Sequence, residues 1–206
     1  MAEIKLNKTE LKDQKAKLEQ LTKYLPTLQL KKQQLQVEVN NVQLYLDELD
    51  RELDNLVQSV YPWAAILSQK LTLDIRELVS VQEVSTEQEN IAGVEVPVFN
   101  TISFQEADYS YLTTPVWLDT AREAFKKMIE LRERKKVTSF RQELLEEELR
   151  QTNIKVNLFE KRLIPECREN IKKIQIFLGD QEIASICNAK IAKDKLKRKE
   201  AERREA

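Results

Sequence analysis

The first sixty residues alternate hydrophobic and polar positions with the period of a coiled coil. Steps of three and four from Leu11 to Val60 land on fifteen positions, of which thirteen are Leu or Val. A 3.5-residue period keeps one narrow stripe facing a partner helix, so the pattern predicts a coiled-coil helix over residues 1–60, about 75 Å long over fifty residues. Asn7, with Glu10 three residues later, is typical of a helix N-cap.

A weaker stripe of the same kind runs over residues 115–178. Thr114 followed by Pro115 is typical of the start of a helix. The two stripes have similar lengths, so they are predicted to fold into one long antiparallel two-helix coiled coil, in which the numbers of paired residues add to about 177. The predicted seam consists of Leu18, Leu21, Leu25, Leu28, Leu35, Val42, Leu46, Leu49, Leu53, Leu56, Leu145, Leu149, Val156, Phe159 and Leu163.

Two irregularities interrupt the second stripe. Residues 132–143 place polar side chains on the seam while the helix pattern continues, which leads to the hypothesis that Arg132 and Lys135 dock a partner protein. A coil that simply opens there is the alternative. Around Pro165, two successive steps of four replace the alternation of three and four, a stutter that locally unwinds a coiled coil.

Residues 61–114 have a different pattern and are predicted to form a small head between the helices. Two runs rich in β-branched residues flank the polar stretch STEQEN, which predicts a β-hairpin over about residues 78–99 with the polar stretch as its connection. Two strands alone are marginal in water, so the hairpin is expected to pack on helix ends or on another protein. Val94 and Val96 are candidate docking residues. The fold class is therefore mainly α-helical, with a coiled coil and a hairpin-containing head.

Composition removes several classes of function. The 206 residues include two Gly and no His. Without His there is no His-dependent catalytic triad and no His-ligated zinc, and neither glycine lies in a phosphate-binding loop. Cys167 and Cys187 are expected to be reduced, structural cysteines. We therefore expect no catalytic residue, no cofactor and no metal, and a protein that is not itself an enzyme.

Charge is segregated along the chain although the net charge is −1. Residues 1–32 hold eight Lys against four acids, residues 188–206 hold eight basic against four acidic side chains, and residues 74–108 hold eight acids against one Arg. Basic termini and an acidic head predict different partners at the two ends. The tail, residues 179–206, is expected to be a basic helical or frayed segment. Its interleaved acids and lack of aromatics argue against nucleic acid, and no apolar run predicts membrane insertion.

Three segments together resemble a known family. The N-terminal helix carries YLPTLQLKKQQLQVEV, the head carries NIAGVEVPV, and the C-terminal helix carries RQTNIKVNLFEKRLIP. In this order, over roughly residues 4–178, they resemble the D subunit of V-type ATPases and ATP synthases in its bacterial form. The resemblance implies a non-catalytic central-stalk rotor subunit that transmits torque between the ATP-hydrolysing or ATP-synthesising A/B ring and the membrane ion-translocating rotor.

The same resemblance implies partners and a location. The partners are the catalytic A/B ring, the F subunit and the subunit that links the stalk to the membrane rotor. The location is cytoplasmic, at the periphery of the membrane. Asn153, Val156, Asn157 and Glu160 are the positions that most clearly match the family.

Two other functions share this plan of helix, hairpin and helix. A prefoldin-like holdase chaperone has it too, but its coil tips are apolar, whereas the tips here are basic. A dimeric coiled-coil tether is the third interpretation, although it does not explain two seams of matched length around a central head. The residues alone leave both alternatives open.

Overall fold

The computed structural model describes residues 5–64, 79–106, 115 and 117–205. The chain divides into two compact units, a terminal unit of Met1–Gln29 with Asn153–Ala206 and a central unit of Leu30–Thr152. The elements are α1 (Lys8–Ala64), β1 (Val79–Ile91), β2 (Val94–Glu106), α2 (Trp117–Leu158), a π-helical turn (Phe159–Leu163) and α3 (Ile164–Glu205). The predicted fold class, mainly α-helical coiled coil with an inserted β-hairpin, is confirmed.

Helix α1 begins at the predicted cap. The backbone N–H of Glu10 donates to Asn7 Oδ1 at 2.6 Å, and that of Leu11 donates to the Asn7 carbonyl at 3.1 Å. The first bond satisfies an N–H group that the first turn of a helix leaves without a partner, and the second is the first bond of the helix itself. The helix then runs without a break through Pro26 to Ala64.

In the central unit, α1 and α2 pack antiparallel. Lys31 contacts Glu148, and farther along α1 Asp50 contacts Lys135. Residues of increasing number on α1 therefore contact residues of decreasing number on α2, which makes the two helices antiparallel. The predicted total of about 177 is close to 179 for Lys31 with Glu148 but differs from 185 for Asp50 with Lys135, where it would place Lys135 opposite Val42. The first turn of α2 packs on the hairpin: Leu118 is 1% exposed and lies with Val79.

In the terminal unit, the start of α1 packs antiparallel to α3. Lys8 Nζ lies 3.9 Å from Glu182 Oε1, whereas the predicted register would place it opposite Glu169. Helix α3 continues through Gly179 to Glu205, so the predicted boundary at 178 is not a helix end. No described helix is both long enough and apolar enough to span a bilayer.

The predicted irregularity near Pro165 is the π-helical turn. The Ile164 N–H donates to the Phe159 carbonyl, five residues back. Proline has no N–H and its ring crowds the preceding turn, so a local widening of the helix lets the chain continue without an α-helical bond at that position.

The hairpin is longer than predicted, and its turn lies elsewhere. Strands β1 and β2 pair antiparallel from Ile91 opposite Val94 to Val79 opposite Glu106. The two turn residues are Ala92 and Gly93, with φ of 51° and 83°, as a two-residue hairpin turn of type I′ requires. The prediction that STEQEN connects the strands is wrong, because all six residues belong to β1.

The predicted seam residues lie inside the units. All fifteen are buried or half-buried. The main core of the central unit consists of Leu35, Val39, Val42, Leu46, Val96, Leu145 and Leu149. The core of the terminal unit consists of Leu21, Ile164 and Cys167, with Leu18, Leu25, Phe159 and Leu163 packed against it.

Candidate partner-binding surfaces

The tip of the hairpin packs on the helices of its own unit. Val96 is 0% exposed and belongs to the same core cluster as residues of α1 and α2, with half-buried Val94 beside it. Val96 therefore presents no side-chain surface to a partner, which contradicts its predicted docking role. The hairpin packs on helices of its own chain, which gives it the support that two strands alone need. It contacts the middle of the helices rather than only their ends.

Two arginines of α2 add polar contacts to this packing. Arg141 Nη2 lies 3.3 Å from Glu89 Oε2 on β1 and 4.0 Å from Glu38 Oε2 on α1. The Arg134 guanidinium lies over the Phe99 ring, 5.2 Å from its centre. One arginine thus bridges three elements by charge, and the other contacts β2 through a cation–π interaction.

The sequence interpretation did not single out these two arginines. A signal was present, because Arg134 and Arg141 are seven residues apart within the polar interruption and so share one face of α2. The sequence does not show that a strand covers that face.

The polar interruption at residues 132–143 makes polar contacts with α1. Lys135 forms an ion pair with Asp50, and Gln142 Nε2 donates to Gln43 Oε1 at 2.8 Å. These pairs replace the missing apolar contacts between α1 and α2. Of the two predicted docking residues, Arg132 is exposed, whereas Lys135 is half-buried and paired with Asp50.

The end of α3 exposes a series of large apolar side chains. All residues described from Asp180 to Arg198 are exposed. The large apolar residues among them are Ile183, Ile186, Ile191 and Leu196, with 53% to 63% of their surface accessible.

Among the described residues, the groups whose pKa is shifted are the paired Glu147 and Arg150 and, separately, Cys167. Hydrogen bonds from Arg150, at 2.7 and 2.9 Å, and then from Gln151 lower the pKa of exposed Glu147 to about 2. Burial raises the pKa of the Cys167 thiol, and the charge of Lys17 partly opposes this shift. Within the described ranges, no three Cys, Asp or Glu side chains are grouped so that they could hold a metal ion.

These features define a class of coiled-coil proteins whose paired helices carry an inserted β-hairpin. The profile of the ATP synthase D-subunit family matches residues 10–194. The V-type ATP synthase D subunit of Chlamydia caviae is 41% identical over 202 residues, which cover 98% of this chain and 97% of the relative. The V-type ATP synthase D subunit of Borreliella burgdorferi is 39% identical over 199 residues, covering 97% and 98%.

The chain therefore belongs to the D-subunit family of ATP synthases. Membership makes it a stalk subunit of a V-type ATPase, and the resemblance drawn from the three sequence segments is confirmed.

Proposed function

We propose that the chain is the non-catalytic central rotor subunit of a V-type ATPase or ATP synthase and transmits torque between the A/B ring and the membrane ion-translocating rotor. The observation that carries this proposal is the set of polar contacts between paired helices. Lys31 Nζ lies 2.7 Å from Glu148 Oε1 in the central unit, and Gln29 contacts Glu160 in the terminal unit. Such contacts oppose sliding of one helix along the other, so a twist applied to one is passed to its partner.

The proposed partners are the catalytic A/B ring, the F subunit and the subunit that links the stalk to the membrane rotor. The proposed location is cytoplasmic, peripheral to the membrane. In this scheme the ring carries out the nucleotide chemistry. The segregated charges support it, because the basic termini and the acidic head favour different neighbours.

The proposed division of labour follows the sequence. Residues 1–60 and 115–178 form the shaft, residues 61–114 form the head, and residues 179–206 form a basic tail. Exposed Arg132 remains a proposed docking residue on the shaft.

The first test is co-purification of the tagged full chain under gentle conditions, with an ATPase assay of the recovered complex. We expect a P-loop ATPase ring at roughly one chain per three catalytic pairs. Recovery of the chain alone would favour the tether. Suppression of client aggregation without an ATPase would favour the chaperone.

The second test separates rotation from mere attachment. The ring of the recovered complex is fixed to a surface and a bead is attached to the hairpin of the chain. We expect the bead to rotate while ATP is hydrolysed. A stationary bead on a complex that continues to hydrolyse ATP would contradict torque transmission by this chain.

A further inference from the structure

The paired helices of the terminal unit keep one register along their length. Gln29 of α1 contacts Glu160 in the π-helical turn. Nearer the chain ends, Lys8 of α1 contacts Glu182 of α3. The residue numbers add to 189 in the first pair and to 190 in the second. This register identifies which residues of the two helices lie at the same level.

Two prolines lie at one level of this register. Pro26 of α1 faces about residue 163, which ends the π-helical turn two residues before Pro165. The packing agrees, because Leu25 and Leu163 lie against the same core cluster. Each helix of the pair therefore carries its proline beside that of its partner.

Each of these prolines removes one backbone hydrogen bond. In an α-helix the N–H of residue 26 would donate to the carbonyl of Thr22. The N–H of residue 165 would likewise donate to the carbonyl of Lys161. Proline has no N–H, so neither bond forms. The turn before the second proline is also widened, since the Ile164 N–H donates five residues back. Prolines and π-helical turns are the usual places at which helices kink.

The shared level of the two prolines lowers the stiffness of the helix pair. Where one helix of a coiled coil lacks a backbone bond, an intact partner packed beside it holds it straight. Here the partner lacks a bond at the same level. The apolar side chains between the helices make non-directional contacts, so they keep the helices together without fixing their angle. The pair therefore resists bending and twisting less at this level than where both backbones are intact.

We propose that Pro26, the π-helical turn and Pro165 form a joint at which the paired helices of the terminal unit bend and twist. The hydrogen bond from Gln29 to Glu160 crosses between the helices three residues from Pro26. It is directional, so it limits how far the joint moves. The joint goes beyond the proposed function and is a property of the chain itself, so it is tested without any partner.

Residue-resolved hydrogen exchange of the full chain tests the joint. Amides of residues 159–164 should exchange at least about tenfold faster than amides of residues 170–175, because they open at the joint. Fraying alone gives the opposite order, since it increases toward the helix ends and residues 170–175 lie nearer the end of α3. Equal rates, or slower exchange at residues 159–164, would overturn the proposal.

Repair of one helix gives a sharper measurement. Pro26→Ala restores an N–H in α1, so α1 becomes an intact support for the π-helical turn opposite. We expect exchange at residues 159–164 to slow by at least about threefold, although the substitution lies on the other helix. Pro62→Ala, in the last turn of α1, is the matched control and should leave these amides unchanged. Slowing confined to α1, or equal slowing in both variants, would contradict a joint shared by the two helices.

Distances across the joint give an independent measurement. Spin labels at exposed Lys155 and Lys173 span the joint, whereas labels at exposed Arg132 and Arg150 span an equal length of α2 that contains no proline. The labels are attached through p-acetylphenylalanine, so the native cysteines are unchanged. We expect the distance distribution of the first pair to be at least about twice as wide as that of the second, and Pro26→Ala to narrow it. Equal widths in the unsubstituted chain would show that the helices do not bend at this level.

Discussion

Val96 is the most deeply buried of the described hairpin residues. Complete burial of a valine side chain contributes about 1.5–3 kcal/mol. The ion pair of Arg141 with Glu89 is partly exposed, and such pairs contribute about 0–1 kcal/mol. The apolar contact therefore outweighs the charged one, and the helices lose part of their own core when the tip leaves.

Truncation of Val96 tests this ranking. We expect Val96→Ala to lower the free energy of unfolding by about 2 kcal/mol, because the cavity forms among residues of α1 and α2 as well as the hairpin. Val81→Ala on the same hairpin is the control. Val81 is 41% exposed, so its truncation should cost less than about 0.5 kcal/mol. Urea unfolding followed by circular dichroism measures both, and equal costs would contradict the packing described.

The sequence located the apolar face of β2 but not what covers it. Alternation of Val94, Val96 and Val98 with Glu95 and Pro97 predicts one apolar face. The same face results whether a helix of the same chain or a partner protein covers it. Which of the two covers this face depends on how far the hairpin folds back along the helices. Contacts between residues far apart in the sequence set that distance, so no local pattern predicts it.

At the scale of elements, one of the two glycines lies in the hairpin turn and the other lies within a helix. Gly93 has φ of +83° in the hairpin turn, and a Cβ there would lie 4.0 Å from Lys31 Nζ, an ordinary contact. Gly179 lies within α3, and a Cβ there would have no neighbour within 4 Å. Both positions therefore have room for a methyl group. The effect of a substitution by alanine on stability depends instead on the backbone conformation at each position.

Substitution of each glycine by alanine should change stability in opposite directions. Gly93→Ala should lower the free energy of unfolding by about 1 kcal/mol, because the left-handed conformation is strained for an L-residue. Gly179→Ala should raise the stability of α3 by up to about 1 kcal/mol, the difference in helix propensity. Urea unfolding and helical circular dichroism of the two variants provide the measurement. The same sign for both would show that the turn or the helix is assigned wrongly.

The helices of this fold follow from local signals, whereas the hairpin and the helix register do not. The seam of α1 and the Asn7 cap depend on spacing and on one short hydrogen bond, so both can be read from the sequence. The sequence predicts a connection at STEQEN because Asn and, to a lesser degree, Glu have low strand propensity. The backbone ladder with β2 overrides that preference, and the turn forms instead at Ala92 and Gly93, where φ is positive.

The predicted register fails toward the start of α2. Equal rise from the head would place the first turn of α2 beside the end of α1. Leu118 and half-buried Trp117 instead pack with Val79 and Phe104 at the base of the hairpin. The apolar stripe of α2 therefore packs first on the hairpin and then on α1. Its periodicity does not show where one neighbour is replaced by the other.

At the scale of the whole molecule, stability is expected to depend on partners. Among the described residues, the last ion pair between α1 and α3 lies at Glu182, and the side chains beyond it, to Arg198, are exposed. An isolated helix without packing is marginal in water. A partner that binds only the folded chain at 100 times its Kd adds about 2.7 kcal/mol to the free energy of unfolding.

Hydrogen exchange of the chain, alone and in the assembled complex, tests this dependence by region. Amides of residues 183–198 should exchange rapidly in the isolated chain and at least about tenfold more slowly in the complex, because the exposed isoleucines become covered. Amides of residues 35–49, which carry the core of the central unit, serve as the control and should be protected in both states. The isolated chain should also melt gradually and at a lower temperature than the complex. A sharp transition above about 90 °C that does not depend on partners, with residues 183–198 protected in isolation, would show that the chain is stable without its complex.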